Sequence, residues 1–426
     1  MTAGPLEPAA GRGGPRVLVV ADDLSGAADC AITWVPWGLD VVVALDAVAG
    51  VAAADVLAVD TDSRRAAPAA AAAATREAVR RHAGPACRVL YKKIDSTLRG
   101  NVGVEIAAAA GADRFALFAP AFPAAGRTME GGSVLVAGTP LAATVLWRLE
   151  GGGRDPDPVA MLAAAGLATA AAPLALVRGG GLAAWLHDRA AEGFRAVACD
   201  AATEADLAAI TAAGATLDRP LLWVGSGGLA RHLRAVTGAA AGGPPSPRRP
   251  PGRPVLVAVG SVSAVSRRQL AALATHPLAA YLEIAPDLLL APEESPALQS
   301  AVRRLDASLA DPALSAVAVS IRAGAGDDPA IRGAALAAAL GRLLAPRLAG
   351  AGGLVVTGGE TARALLAAAA VPGLRLAGEV EPGVPLGIAL GSGPACGLPV
   401  VTKAGAFGSD ATLAGCVAAL LALPCA

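Results

Sequence analysis

The sequence predicts an α/β protein made of two α/β domains with mainly parallel sheets, with an active site expected in the cleft between the domains. Three observations predict this. Short apolar runs alternate with Ala-rich stretches of helical character. The runs are continuous rather than alternating polar and apolar, as strands covered on both faces require. The segment GGPPSPRRPPGRP, residues 242–254, can form neither helix nor strand interior and divides the chain. The expected organisation of the 426 residues is a disordered leader over 1–15, an N-terminal domain over 16–241, the linker over 242–254 and a C-terminal domain over 255–426.

In chain order, Arg16–Ala21 reads as the first buried strand and ends in Asp22-Asp23, after which Leu24–Asp29 begins a helix. Val41–Leu45, Val56–Val59, Val89–Tyr91, Phe115–Phe118 and Leu221–Val224 are the further N-terminal strands. In the second half, Val255–Val259 leads into Gly260-Ser261, and Gly353–Thr357 leads into Gly358-Gly359. No fixed-period repeat occurs.

Composition excludes several classes. Thirty-five basic residues balance 35 acidic ones, so the basic surplus that phosphate-backbone binding needs is missing and nucleic acid is not an expected partner. The chain is 54% hydrophobic, which excludes general disorder. No uncharged apolar stretch reaches about 18 residues, so no membrane span is expected. Residues 1–15 carry Pro5, Glu7 and Pro8 where the apolar region of a signal peptide would lie. The six cysteines form no CxxC pair, which fits a reducing cytoplasm with thiols as small core residues. The four scattered histidines exclude an HExxH site, and no GxSxG elbow occurs. Metal ligands are not assigned by the sequence.

Depletion carries a signal. Only Lys92, Lys93 and Lys403 among the 35 basic residues are lysine, and Asn101 is the one asparagine. Where any cation suffices the chain uses arginine, so the remaining lysines mark chemistry that a planar guanidinium cannot do.

In parallel sheets ligands collect at the carboxyl ends of strands, and the unusual segments fall there. Asp22 and Asp23 offer a base, a metal ligand, a hydroxyl clamp or a helix cap. Tyr91–Asn101 (YKKIDSTLRGN) brings together Lys93, Asp95, Ser96, Arg99 and Asn101. That mixture suits a small polyhydroxylated acid, with Arg99 or a lysine on the carboxylate and Asp95 and Asn101 on hydroxyls. Arg127 projects from a Pro- and Gly-braced loop, Pro120–Thr128. In the C-terminal half, Ser261 and Ser263, the turn Gly358-Gly359-Glu360-Thr361, and Lys403 with Gly405 read as phosphate-binding turns at helix starts. No Gly-Lys dipeptide occurs, so a Walker A loop is absent. A domain suited to a hydroxylated acid and another suited to a nucleotide together imply phosphoryl transfer, which needs positioning and charge stabilisation more than covalent chemistry.

These segments carry a resemblance. ADDLSGAAD (21–29), KKIDSTLRGN (92–101), APAFPAAGRT (119–128), GSVSAVSRRQ (260–269), GGET (358–361), GEVEPGVPLG (378–387) and LPVVTKAGAFG (398–408) resemble, in order, the motifs of the four-carbon acid sugar kinases. That family includes threonate, erythronate and 3-oxo-tetronate kinases. The resemblance implies ATP- and Mg2+-dependent phosphorylation of the C4 hydroxyl of a four-carbon sugar acid. It implies ATP at Ser261, Ser263, Gly358–Thr361 and Gly405, and the acid against Asp22, Asp23, Lys93, Asp95, Arg99 and Arg127. Ser25 stands where the family more often has Thr, and Ala406 where it more often has a second Gly. Asp23 or Asp95 is expected to accept the hydroxyl proton, and Lys403 to steady the transferring phosphoryl group. A cytoplasmic enzyme is expected, and low-charge apolar surfaces are compatible with a homodimer. The rival readings are a NAD-dependent oxidoreductase of a related hydroxy acid, against which the missing GxGxxG after the first strand counts, and a non-catalytic two-domain binding protein.

Overall fold

The computed structural model describes residues 14–47, 53–150, 153–237, 245–261, 263–322, 329–405 and 407–425. Most of the expected leader, linker residues 242–244 and Ala406 lie outside the described residues. The chain forms two compact units that meet in sequence at Gly242-Gly243, with Val42–Leu45 belonging to the second.

In the first unit the strands lie in the order Val56–Asp60, Val17–Ala21, Val89–Lys93, Leu221–Gly225, Phe115–Ala119, Ala196–Cys199 and Thr169–Ala172. Every pairing between them is parallel. Val17–Ala21, Val56–Asp60, Val89–Lys93 and Phe115–Ala119 are buried throughout, which explains their unbroken apolar runs. Ala196–Cys199 and Thr169–Ala172 are strands that the sequence pattern does not announce. Their alanines favour helix locally, and pairing beside Phe115–Ala119 overrides that preference. The register brings strand ends level: Ala21 lies opposite Asp60 and Lys93, and Gly225 opposite Lys93 and Ala119. Asp22, Arg64 and Asp95 therefore leave one edge of one sheet.

In the second unit Ala279–Ile284, Ala316–Ile321, Val255–Val259, Gly353–Thr357 and Pro399–Lys403 run parallel. Val384–Ala389, Gly373–Glu381 and Val41–Ala44 continue the sheet antiparallel. The strand expected at Val41–Leu45 forms over Val41–Ala44 and pairs antiparallel with Gly373–Glu381, Ala44 opposite Gly373. Four fully buried apolar residues suit any covered position; which sheet takes them depends on chain path and not on their pattern. The core joins Val255, Val257 and Val259 to Leu270 and Leu273 of the helix Ala264–Ala274 and to Val417 and Leu420 of the helix Thr412–Leu421. Val259, Thr357 and Lys403 end at one level.

The described part of the linker is anchored in the second unit: Arg249 N–H donates to the Pro424 carbonyl at 3.0 Å. All six cysteines are free, with Cys30, Cys199 and Cys416 buried. Cys396 and Cys425 are exposed rather than in the core, because they lie in a turn and in the C-terminal segment. Among the described residues no helix is long and apolar enough to cross a membrane.

Candidate active site

Both members of the Asp22-Asp23 pair are committed. Asp23, in extended conformation, caps the helix Leu24–Ala31, its Oδ1 accepting the Gly26 N–H at 3.0 Å. Asp22 is buried and receives a two-pronged contact from Arg64, Nε to Oδ2 at 2.7 Å and Nη2 to Oδ1 at 2.9 Å. The same Nη2 reaches Asp23 Oδ1 at 2.8 Å. Lys93 is buried beside them. A Cβ on Gly26 would fall 2.5 Å from Asp23 Oδ1 and 3.1 Å from Lys93 Nζ, so glycine gives the capping carboxylate its room. Lys93 Nζ donates to the Ile94 carbonyl at 3.0 Å and, among the described residues, makes no ion pair.

Asp95 is held by Arg99, Nε to Oδ2 at 2.8 Å and Nη2 to Oδ1 at 2.9 Å, and by the Thr97 hydroxyl. The half-buried Ser96 has no side-chain hydrogen bond among the described residues. Electrostatics separates the three carboxylates. Burial alone would raise Asp22, but the Arg64 guanidinium, with Lys92 and Lys93, holds it below its ordinary value. Asp95 is likewise opposed by burial and pulled well below the usual carboxylate range by Arg99, Arg64 and Thr97. For Asp23 burial prevails over Arg64, the neighbouring Asp22 charge adds to it, and the carboxyl is raised.

Two expected ligands are occupied elsewhere. The Asn101 amide donates to the Ser63 and Ala66 carbonyls, both at 2.9 Å, and so pins a turn. Arg127 opens the strand Arg127–Glu130, one Nη turns back onto the Ala125 carbonyl, and its Nε is buried without a partner. Among the described residues these bonds tie both side chains to backbone carbonyls and not to the carboxylate cluster. Two further residues belong to the cluster that the sequence reading does not select. Arg64 follows the strand Val56–Asp60, and the strand-end rule that picks out Asp22 and Asp95 applies equally to it. Asp29, farther along the capped helix, is raised by burial against the opposing pull of Lys93 and Arg231. Its Oδ2 would lie 3.0 Å from a Cβ on Gly227.

In the second unit three segments interlock. The Gly358 N–H donates to the Lys403 carbonyl at 2.8 Å, and the Ser263 and Ser266 hydroxyls donate to the Gly405 carbonyl at 2.8 and 2.6 Å. Ser263 also caps the helix Ala264–Ala274, while Gly358, at φ +96°, precedes the helix Gly359–Ala368, so two helix starts converge. A Cβ on Gly405 would fall 2.7 Å from Ser261 Cβ, and one on Gly260 2.8 Å from Thr361 Cβ. The backbone at Gly260 and Gly405 thus packs directly against the Thr361 and Ser261 side chains, and neither position has room for a larger residue. Gly359, Glu360 and Thr361 form the first turn of the second helix. Lys403 is buried, and its Nζ donates to the Ala404 and Phe407 carbonyls at 2.8 and 2.9 Å, bracing the loop that carries Gly405. A cavity of about 400 Å³ opens beside Ser261, floored by Val259, Leu270, Ala271 and Ala274, with Tyr281, Glu283 and Arg322 among its polar lining. Among the described residues no group of three or more His, Cys, Asp or Glu side chains is placed to hold a metal ion.

Two recognised domains match the chain on either side of the boundary at Gly242-Gly243. A sugar-binding N-terminal domain matches residues 17–233, and a nucleotide-binding C-terminal domain matches 256–413. The chain belongs to the four-carbon acid sugar kinase family. It is 48% identical over 405 residues to a D-threonate kinase of Cupriavidus necator, covering 93% of this chain and 96% of that one. It is 38% identical to a D-threonate kinase of Bordetella bronchiseptica, covering 94% and 96%. A crystal structure from Salmonella typhimurium, described as a putative tRNA synthase, superposes with a TM-score of 0.78 at 25% identity over 94% of this chain and 98% of that one.

Proposed function

We propose that the protein is an ATP-dependent kinase that phosphorylates the C4 hydroxyl of a four-carbon sugar acid, with D-threonate the first substrate to test. The observation that carries this reading is the similarity to D-threonate kinases across both domains, 48% identity over 93% of the chain. The geometry supports it. In the first unit Lys93 would offer donors to the substrate carboxylate, and the Ser96 hydroxyl would bond a substrate hydroxyl, beside the Arg64-held pair Asp22 and Asp23. Asp23 takes the C4 proton as the C4 oxygen bonds to the γ-phosphorus and the bond to the β,γ-bridging oxygen breaks. Its raised carboxyl makes it the stronger base, whereas Asp95, held ionised by Arg99, orients that arginine.

In the second unit the backbone N–H groups at Ser261, Gly358–Thr361 and Gly405 would hold the triphosphate, with Lys403 shaping their loop. The cavity beside Ser261 has the mixed apolar and polar lining, and the size, that a nucleoside requires. Mg2+ would arrive with the phosphates, which supply its oxygen ligands, and would neutralise their developing charge. The reading places the enzyme in the cytoplasm, where ATP is.

The test is ADP release with ATP and Mg2+ over D- and L-threonate, D- and L-erythronate and 3-oxo-tetronate. Turnover on one of these acids, with phosphate on C4 of the product, is the expected result. Binding of acid and nucleotide without ADP release on any of them would overturn the assignment.

A further inference from the structure

Lys92 and Lys93 are neighbours on one strand, so their side chains leave the sheet on opposite faces. Lys93 joins the carboxylate cluster. Lys92 does not: it is wholly buried, and its Nζ lies 3.0 Å from Glu105 Oε2, itself 2% exposed, in the first turn of the helix Val102–Ala110. Two carbonyls, Lys93 at 3.2 Å and Val20 at 3.4 Å, complete the ammonium's surroundings. The other oxygen of Glu105 accepts the hydroxyl of Ser63, which is also buried.

From Ser63 the network runs to the acid cluster. The Ser63 hydroxyl lies 2.7 Å from that of Thr61, and the Thr61 hydroxyl donates to the Ala21 carbonyl at 2.8 Å. The Ser63 and Arg64 N–H groups both donate to the Asp22 carbonyl, at 3.1 and 3.2 Å. Asn101, one residue before the helix that carries Glu105, closes the turn from the other side.

We propose that the Lys92–Glu105 ion pair is a positioning device for the acid site: through Ser63 it holds the turn Thr61–Arg64 so that the Arg64 guanidinium meets Asp22 and Asp23. This rests on the reading of that cluster as the place where the sugar acid binds. An ion pair taken wholly out of water is weak evidence for stability, because apolar residues of similar volume fill such a space as well or better. What an apolar pair lacks is the charged acceptor that draws the Ser63 hydroxyl toward the helix Val102–Ala110; without it Thr61 alone is left to accept. Both charges are buried away from solvent; Lys92 also bears on Asp22 through its charge, so Ser63→Ala, which keeps both charges, is the variant that isolates the route through the turn.

Two variants test it, Ser63→Ala and the double replacement Lys92→Met with Glu105→Leu, neither of which leaves a lone buried charge. Amide hydrogen exchange at Thr61–Ala66, the thermal midpoint, and KM for the sugar acid and for ATP are the readouts. A hydrogen bond to a charged group corresponds to a change on the order of tenfold or more, so both variants are expected to speed exchange at Ser63 and Arg64 and to raise KM for the acid by that factor. The KM for ATP is expected to stay as in the parent, and the double variant to melt near the parent's midpoint. Unchanged exchange and unchanged KM for the acid in folded Ser63→Ala protein would overturn the proposal, and that variant decides the matter even where the double one fails to fold. Exchange needs no catalysis, so an enzyme inactive on every acid tested would count against the functional reading while the turn's dependence on Ser63 was still measured.

Discussion

Replacing Asp23 with asparagine separates catalysis from folding at one atom. The Asn side chain keeps an oxygen where Oδ1 accepts the Gly26 N–H at 3.0 Å, and asparagine is among the best helix caps, so the loss of about 1 kcal/mol expected for alanine is avoided. What disappears is the proton acceptor. A general base contributes at least about 100-fold, or about 2.7 kcal/mol of barrier, and kcat is expected to fall by that much or more at saturating ATP and acid. Stability is expected to move the other way. Burial raises the folded carboxyl above its ordinary 3.8, so this group favours folding below that ordinary value and the contribution is lost as pH rises through the raised one. At pH 7 the ionised carboxylate therefore opposes folding, and Asp23→Asn is expected to melt higher than the parent, with the gap closing as pH falls towards 4. Coupled ADP release and thermal melts at several pH values make the measurement. A variant that keeps kcat within tenfold of the parent would refute the assignment of the base. One that melts lower at pH 7 and no differently at pH 4 would refute the electrostatic argument.

Other outcomes are expected from the same geometry. Burial brings the Lys403 ammonium down to about 8; kcat/KM for ATP, which reports groups of the free enzyme, should decline as pH rises through that value, and Lys403→Met should flatten the decline. Gly405→Ala drives a methyl against Ser261, and overpacking costs about 1–3 kcal/mol of folding stability, so the variant is expected to melt lower and, with the turn displaced, to raise KM for ATP; a folded alanine variant with parental ATP kinetics would remove the Gly405 turn from the site. Ala271→Leu fills the floor of the cavity beside Ser261 and should weaken ATP binding without changing KM for the acid; equal ADP binding by calorimetry in parent and variant would place the nucleoside elsewhere.

Much of this site is legible in the amino-acid sequence, and the reason is local. Asp22, Asp23, Lys93 and Asp95 end or follow continuous apolar strands, and a parallel sheet brings such ends to one edge whatever the order of the strands. The glycines at 260 and 405 mark where backbone packs against the Thr361 and Ser261 side chains, and Gly358 a turn at φ +96°. Arg64 is less visible. It lies 42 residues from Asp22, on a turn that reads as polar loop until the register sets Asp60 opposite Ala21. Asn101 and Lys403 stand out by rarity, yet both spend their donors on backbone carbonyls. Scarcity marks a residue as required without telling a ligand from a brace.

Period-two alternation alone places Lys92 and Lys93 on opposite faces, and continuous apolar runs alone mark most strands, because burial on both faces tolerates few polar residues. The tertiary structure decided the rest. It set the Val41–Ala44 strand beside Gly373–Glu381, made strands of two alanine-rich stretches, and raised Asp23 while lowering Asp22 and Asp95. Those outcomes depend on which distant groups come within a few ångströms of one another, since desolvation and Coulomb attraction are properties of an assembled neighbourhood and not of a local run of residues.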